Sequence, residues 1–233
     1  MAIGQNAQAD MPSICRSCEA RRNGLCSAFN ACQLSELAKA SSRQEVSAGT
    51  ELPDGETYSN ILSGVVKLTR KLSNGRQQIV GLHFAPDFLG RPFEPRRPVR
   101  AEAVTNVTLC SFPRSIIERM MQESPRLSGK IIEHTLEQLD EARDWITALG
   151  RKTASERVAS FLLMIAVNID PARHSTDFEL PLTRAEIADF LGLTIETVSR
   201  ELTLLRTDGV IEIANKRQIS LKNVARLEDR CGD

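Results

Sequence analysis

The chain has 233 residues, 41% hydrophobic but only 4% aromatic, enough for one large or two small domains around a mainly aliphatic core. Its 30 Lys and Arg balance its 30 Asp and Glu, so no global positive field draws it to a polyanion, and any basic contacts must be arranged locally. No run approaches the roughly eighteen apolar residues of a membrane span, and the N-terminus lacks the basic start and apolar stretch of a signal peptide. The longest greasy piece, Phe161–Val167, has the length of a core helix segment. A cytoplasmic protein with no membrane partner is expected.

Residues 1–12 form a polar tail, and the stretch ICRSCEARRNGLCSAFNAC follows. It holds Cys15 and Cys18 as C-x2-C, Cys26 after a seven-residue spacer and Cys32 after a further five. In a reducing compartment such crowding does not suggest structural disulfides. Thiolates are soft ligands, and a C-x2-C turn aims two sulfurs at one point. Four N/S ligands at tetrahedral corners suit zinc, four cysteine thiolates suit an iron–sulfur cluster, and unliganded cysteines in an arm are the plain alternative.

A short helix is expected from Gln33 to Ala40, with Leu34, Leu37 and Ala38 on its greasy side. The period then changes to two. Val65–Leu72 alternates, Asn74-Gly75 signals a type I′ hairpin turn, Gln77–Phe84 alternates again, and Ala101–Phe112 forms another strand. Gly49, Asp54-Gly55 and Ser63-Gly64 punctuate the segment before it. Together these predict an antiparallel β-roll over residues 33–112, the strands lying from Ser42 onward. In the last strand Val107 and Leu109 share a face, so Cys110 points the other way, outward if the first two fill the roll. A cysteine in a strand is commonly a small buried hydrophobe, and Cys110 gains interest only beside the cysteine-rich arm.

Helical spacing begins at Pro113–Met121, and Ser124-Pro125 starts a long helix that Gly150 is expected to end. Along it Ile132, Thr135, Leu139, Ala142, Ile146 and Leu149 recur at heptad spacing, a seam for a second helix. Thr135 and Ala142 offer little apolar area, so pairing is marginal, as suits a conditional dimer. Trp145 and Leu136 flank the seam and are placed to pack on their own domain. Thr153 and Glu156 form a capping box for a helix to about Asn168, which Asp170-Pro171 stops, and Phe178–Leu180 is a short strand.

Thr183–Arg206, TRAEIADFLGLTIETVSRELTLLR, holds the most specific pattern. Thr183 and Glu186 make a capping box, and Ile187, Ala188 and Leu191 share a face. Gly192 supplies a turn, Thr194 caps a second helix, and Val198, Leu202 and Leu205 repeat the apolar spacing. Two short helices joined by a Gly turn form a helix-turn-helix. Glu196, Ser199, Arg200 and Thr203, at i, i+3, i+4 and i+7, lie on the outer face of the second helix. Arg donates twice to guanine, a Glu carboxylate accepts from the cytosine amino group, and Ser takes either role, so Glu196, Ser199 and Arg200 are assigned to base readout. Thr194 and Thr203 are assigned to the backbone. A hairpin of Val210, Ile211, Ile213, Ile219 and Leu221 follows, and Lys216 and Arg217 at its tip suit phosphate contacts. The whole is a winged helix-turn-helix for double-stranded DNA, after which Asn223–Asp233 is expected to fray. The three histidines, His83, His134 and His174, are scattered, and no nucleophile–base set, H-E-x-x-H, P-loop or G-x-G-x-x-G supports an enzyme.

A cysteine-bearing arm, a β-roll, one long helix and a winged helix-turn-helix with E-x-x-S-R after GLT resemble, over nearly the whole chain, the CRP/FNR family of bacterial transcription regulators. The resemblance implies an α+β chain with an N-terminal antiparallel β-roll of the cyclic-nucleotide-binding type, a long dimerisation helix and a C-terminal winged helix-turn-helix. The parts fall at 1–32 (arm), 33–112 (sensory roll), 113–150 (dimerisation helix) and 151–233 (DNA-binding domain). It also implies a homodimer, RNA polymerase as partner and a TTGAT-type half-site, read by Glu196, Ser199 and Arg200. Cyclic-nucleotide members carry Gly-Glu and later Arg followed by a hydroxyl residue. Here Gly90 precedes Arg91, Arg100 precedes Ala101, and Pro92, Pro95 and Pro98 disfavour a phosphate-cradling helix, so no cyclic nucleotide is expected.

The LGLTIETVSR segment and the cysteines are similar to the FNR/FnrN/FixK-like branch. FNR-type members hold an oxygen-labile [4Fe–4S] cluster by three N-terminal cysteines and one at the end of the roll. Cys15, Cys18, Cys26 and Cys110 occupy those places and Cys32 is surplus. The implied function is an oxygen-responsive activator working at low oxygen, nitrogen fixation being one process such regulators control. A cluster-free or zinc-binding FixK-like regulator is the alternative within the family, and an iron–sulfur electron carrier is the alternative outside it.

Overall fold

The computed structural model describes residues 13–16, 18–53, 57–90, 99–169 and 176–232. The N-terminal tail, the Asp54-Gly55 turn, Arg91, Pro92, Pro95, Pro98, the Asp170-Pro171 helix stop and His174 lie outside these. The chain separates into two compact units, residues 1–69 with 82–139 and residues 70–81 with 140–233, so the boundary falls inside the long helix.

The first unit begins with short turns of helix, α1 (Ser13–Arg16) and α2 (Glu19–Arg22), and a 3-10 turn at Leu25–Ala28. Helix α3 (Ala31–Ala40) starts on a capping box: the Asn30 side chain accepts from the Gln33 N–H, and the Gln33 side chain accepts from the Asn30 N–H. The roll follows as β1 (Ser42–Val46), β2 (Thr57–Ser63), β3 (Val65–Lys71), β4 (Gln77–Phe84), β5 (Phe88–Leu89), β6 (Arg100–Ala103) and β7 (Val107–Pro113). They form two sheets, ordered β1-β7-β2-β5 and β4-β3-β6. The Asn74-Gly75 turn is not type I′, which needs positive φ at both central residues. Only Gly75 has positive φ (82°), and its N–H donates to the Leu72 carbonyl at 3.0 Å; this is a longer loop with glycine at the left-handed position.

Period-two side-chain alternation sets up the layers. One face of the first sheet, with Ile61, Val107 and Leu109, joins Val66, Ala101 and Ala103 inside the roll. Ser59 and Ser111, paired in register on that face, share a buried hydroxyl hydrogen bond of 2.8 Å. The other face carries Tyr58, Asn60, Cys110 and Phe112. It is covered by Leu25, Cys26, Ala28 and Phe29 of the arm, by α4 (Arg114–Glu123) and by the start of α5 (Pro125–Arg151). Gly150 does not end α5, which continues one residue beyond it.

In the second unit, α6 (Ala154–Ile169) starts on the expected capping box: Thr153 N–H donates to Glu156, and Glu156 N–H donates to Thr153 Oγ1. It is followed by β8 (Asp177–Glu179), α7 (Arg184–Leu191), α8 (Ile195–Thr207), β9 (Ile211–Ala214), β10 (Gln218–Leu221) and α9 (Val224–Asp229), with the strands in the order β8-β10-β9. Trp145 of α5 packs edge-on to Phe190 at 4.6 Å, as expected, whereas Leu136 is exposed. The C-terminus does not fray as expected. Asn223 caps α9 by accepting from the Arg226 N–H, and Leu227 and Cys231 are buried at 0% and 2% exposure.

Gly64 tests the roll directly. Its φ is +89°, and a Cβ there would sit 2.4 Å from the Asn106 carbonyl oxygen, a backbone atom that cannot swing aside. Gly64→Ala is expected to cost about 1–3 kcal/mol for the left-handed backbone alone, with the clash added, read as a lowered urea midpoint.

Candidate functional site

The helix-turn-helix is built by local hydrogen bonds. Thr183 Oγ1 accepts from the Glu186 N–H at 3.3 Å, and Glu186 Oε2 accepts from the Thr183 N–H at 2.8 Å. Gly192 closes α7 at φ 62°, and Thr194 Oγ1 caps α8 by accepting from the Thr197 N–H. Ile187, Leu191, Val198, Leu202 and Leu205 are buried, which fixes the rotation of α8. Glu196, Arg200 and Thr203 are therefore exposed, with Ser199 half-buried between them.

The Glu196 carboxyl is held below its ordinary value by its own backbone N–H and by the Thr194 hydroxyl, so it stands as a charged acceptor. Arg200 donates Nε and Nη2 to Glu201 Oε1 at 3.2 and 3.1 Å. Thr203 donates its hydroxyl proton to the Ser199 carbonyl at 2.9 Å.

The two basic residues at the wing differ. Lys216 is exposed in the left-handed region at φ 65°, beside Asn215 at φ 47°. A lysine held there marks strain kept at a surface tip. Arg217, expected on phosphate, is engaged within the chain and half-exposed, lying 3.5 Å from the Glu179 carboxylate. Its guanidinium donates to the Leu180 carbonyl at 2.8 and 3.1 Å and to the Pro181 carbonyl at 2.6 Å. A planar fork satisfies two neighbouring carbonyls at once, so Arg217 clasps the strand that leads into α7.

Four cysteines lie on the arm and the neighbouring strand of the roll. Burial pushes the Cys26 thiol up to about 12, and the nearby Cys110, then Cys18 and Cys15, push the same way. Cys110 is raised by burial and then by Cys18 and Cys15, and Cys15 by burial and then by Cys18. Cys15, Cys18, Cys26 and Cys110 are thus electrostatic neighbours at the junction of arm and roll. Cys110 lies on the outward face, as its alternation with Leu109 predicts. Cys32 is exposed on α3, and Cys231 is buried with Sγ donating to the Leu227 carbonyl. Among the described residues no group of three or more His, Cys, Asp or Glu side chains is arranged to hold one metal ion. A [4Fe–4S] cube binds each thiolate through a different iron and does not need that convergence, so the four sulfurs fit the donor set it takes.

Asn60, which sequence reasoning passed over, adjoins two of these cysteines. It is 1% exposed, lies opposite Cys110 in the β2–β7 register and donates Nδ2 to Cys26 Sγ at 3.2 Å. Its Oδ1 is buried without a hydrogen-bond partner. Such an orphan costs about 1–3 kcal/mol, so the position is occupied at the expense of stability. The available signal was a polar residue two positions after Tyr58 on the face that must lie under apolar cover.

Along α5 the expected seam is open to solvent on the single chain. Ile132, Thr135, Leu139, Ala142 and Ile146 are exposed, and Leu149 is half-buried. Among the described residues no helix is long and apolar enough to cross a membrane.

Residues 156–230 match the family model of the Crp-like helix-turn-helix domain, and residues 53–124 match that of the cyclic nucleotide-binding domain. A "Probable transcriptional activator" of Rhizobium leguminosarum bv. viciae is 49% identical over 222 residues, covering 93% of this chain and 92% of that protein. The chain belongs to the Crp/Fnr family. Its Crp/Fnr relatives include the transcriptional activator protein FnrL of Cereibacter sphaeroides, 36% identical with 96% and 95% of the two chains covered. Among solved structures, FixK2 from Bradyrhizobium japonicum superposes with a TM-score of 0.75 at 33% identity, covering 82% of this chain and 96% of that one. Crp/Fnr members are DNA-binding transcription factors and not enzymes.

Substitutions separate the roles on this face. Glu196→Ala should lose about 1–3 kcal/mol of discrimination at one base pair, read by competition between operator variants. Lys216→Gly should relieve the strained φ, leave stability no lower and flatten the salt dependence of binding by about one unit for all sequences. Arg217→Ala should do the reverse, lowering stability by about 1–3 kcal/mol with the salt slope unchanged.

Proposed function

We propose that this Crp/Fnr-family regulator is an activator that works at low oxygen through a [4Fe–4S] cluster held by Cys15, Cys18, Cys26 and Cys110. It acts as a homodimer on a TTGAT-type palindrome, without cyclic nucleotide, and engages RNA polymerase there. The observation that carries the reading is that Cys26 of the arm and Cys110 of the roll both meet Asn60, which donates to the Cys26 Sγ at 3.2 Å and pairs across the sheet with Cys110. Cys15 and Cys18 raise both thiols, and Cys26 shares an apolar cluster with Leu127 and Ile131 of α5. The relatives named FnrL and FixK support the regulator part of the reading, the first a transcriptional activator and the second a nitrogen fixation regulation protein of Bradyrhizobium diazoefficiens 38% identical over 220 residues. Gly90 followed by Arg91 and Arg100 by Ala101 support the exclusion of cyclic nucleotide.

When bound, the group would supply iron–thiolate bonds across the arm–roll junction that oxygen removes. The chain's own residues carry the rest. With Cys26 fixed over Cys110, Leu25, Ala28 and Phe29 stay seated on Leu127 and Ile131, and Arg126 donates to the Ser27 carbonyl at 3.1 Å. The arm thereby grips the first turns of α5, whose open face bears the seam. Two chains joined along that face present two α8 helices, whose spacing on a palindrome is about 34–36 Å. Bias arises only so far as the held arm favours the paired state.

Protein purified without air should contain iron and acid-labile sulfide, about four of each per chain, with broad visible absorption. It should occupy a TTGAT palindrome more tightly than an aerated sample at equal concentration. Cys→Ser at Cys15, Cys18, Cys26 or Cys110 should abolish the colour, and Cys32→Ser should keep it. A colourless chain with one zinc, or equal operator occupancy with and without air, overturns the reading.

A further inference from the structure

Asn60 is the one fully buried polar side chain of the first sheet's outer face among Tyr58, Cys110 and Phe112, where an apolar residue of its size would pack without an orphaned oxygen. The side-chain hydrogen bond found for it runs from Nδ2 to Cys26 Sγ at 3.2 Å. A sulfur that carries negative charge accepts such a bond more strongly than a neutral thiol does, because charge-assisted hydrogen bonds are the stronger kind. The amide therefore gains most when Cys26 is a bound thiolate. Its location is also restrictive. Asn60 sits on β2, directly across from Cys110 on β7, and reaches Cys26 in the arm, so one residue of the roll touches the ligand pair that joins the two parts.

We propose that Asn60 is a positioning residue for the cysteine site. Its N–H aims Cys26 at the roll and withdraws charge from the coordinating sulfur. This rests on the cluster reading given above. Hydrogen bonds to the sulfurs of an iron–sulfur centre favour its more reduced, more negative state, so this donor raises the reduction potential. Groups behind a metal's direct ligands also hold those ligands in place, and their loss weakens metal binding by about 10–100-fold. The unpartnered Oδ1 is then the unfavourable half of an amide kept for its other half.

Two substitutions separate this role from simple packing. Asn60→Leu removes donor and orphan together, so the chain should fold with thermal stability unchanged or raised. Asn60→Ala also removes the donor, with a smaller side chain. Each variant and the natural chain would be reconstituted without air with iron and sulfide, then compared by dye-mediated potential titration and by iron loss to a competing chelator. Both variants should show a lower potential and at least about 10-fold faster iron loss, with the Leu variant losing iron despite its stable fold. If the natural chain loads and both variants match its potential and chelator resistance, the role of Asn60 is overturned while the cluster reading stands. If the natural chain takes up no iron and sulfide, both are overturned.

Discussion

A β-strand presents alternate side chains to opposite sides, and β7 uses both sides at once. Val107 and Leu109 point into the roll and hold its two sheets together, while Cys110 and Phe112 point out and meet the arm. A slip of one residue would exchange the two sets, sending Cys110 inside and leaving Leu109 under the arm. The pairing of β7 with both β1 and β2 forbids that slip. It aligns Cys110 with Arg43 on one side and with Asn60 on the other. The positions of Cys110 and Asn60 follow from this register.

The same face joins the site to the helix that follows. Cys26, Phe29, Leu127 and Ile131 lie in one buried cluster, so a displacement of the arm cannot leave the start of α5 untouched. Further along, Trp145 of the same helix packs on Phe190 of α7. Each unit thus packs its own part of the helix, the first in the apolar layer that includes Cys26 and the second against Phe190. These contacts are made of dispersion and burial, which are short-ranged.

What was legible in the sequence was what depends on near neighbours along the chain. The capping boxes at Thr153 and Thr183, the Thr194 cap, the left-handed Gly192 and the buried stripe of α8 all formed as their spacing required. The outward placement of Cys110 needed only the strand period. What escaped depended on partners far away in sequence. The engagement of Arg217 was not legible because its acceptors, the carbonyls of Leu180 and Pro181, lie 36–37 residues away in sequence. Asn60 carries no local signal of its bond to Cys26, 34 residues earlier. The C-terminal segment looked polar, yet Leu227 and Cys231 had a core to enter, and the Ser160 hydroxyl donates to the Cys231 carbonyl at 3.5 Å. The Asn74-Gly75 pair showed that a turn signal identifies a turn more reliably than its geometry.

The open face of α5 has one further implication. Thr135 and Ala142 interrupt its aliphatic row, so two such faces gain only modest stabilisation on meeting. Association of that strength is governed by mass action: while single chains predominate, doubling their number quadruples the number of pairs. The amount of protein made then sets how many such faces are paired.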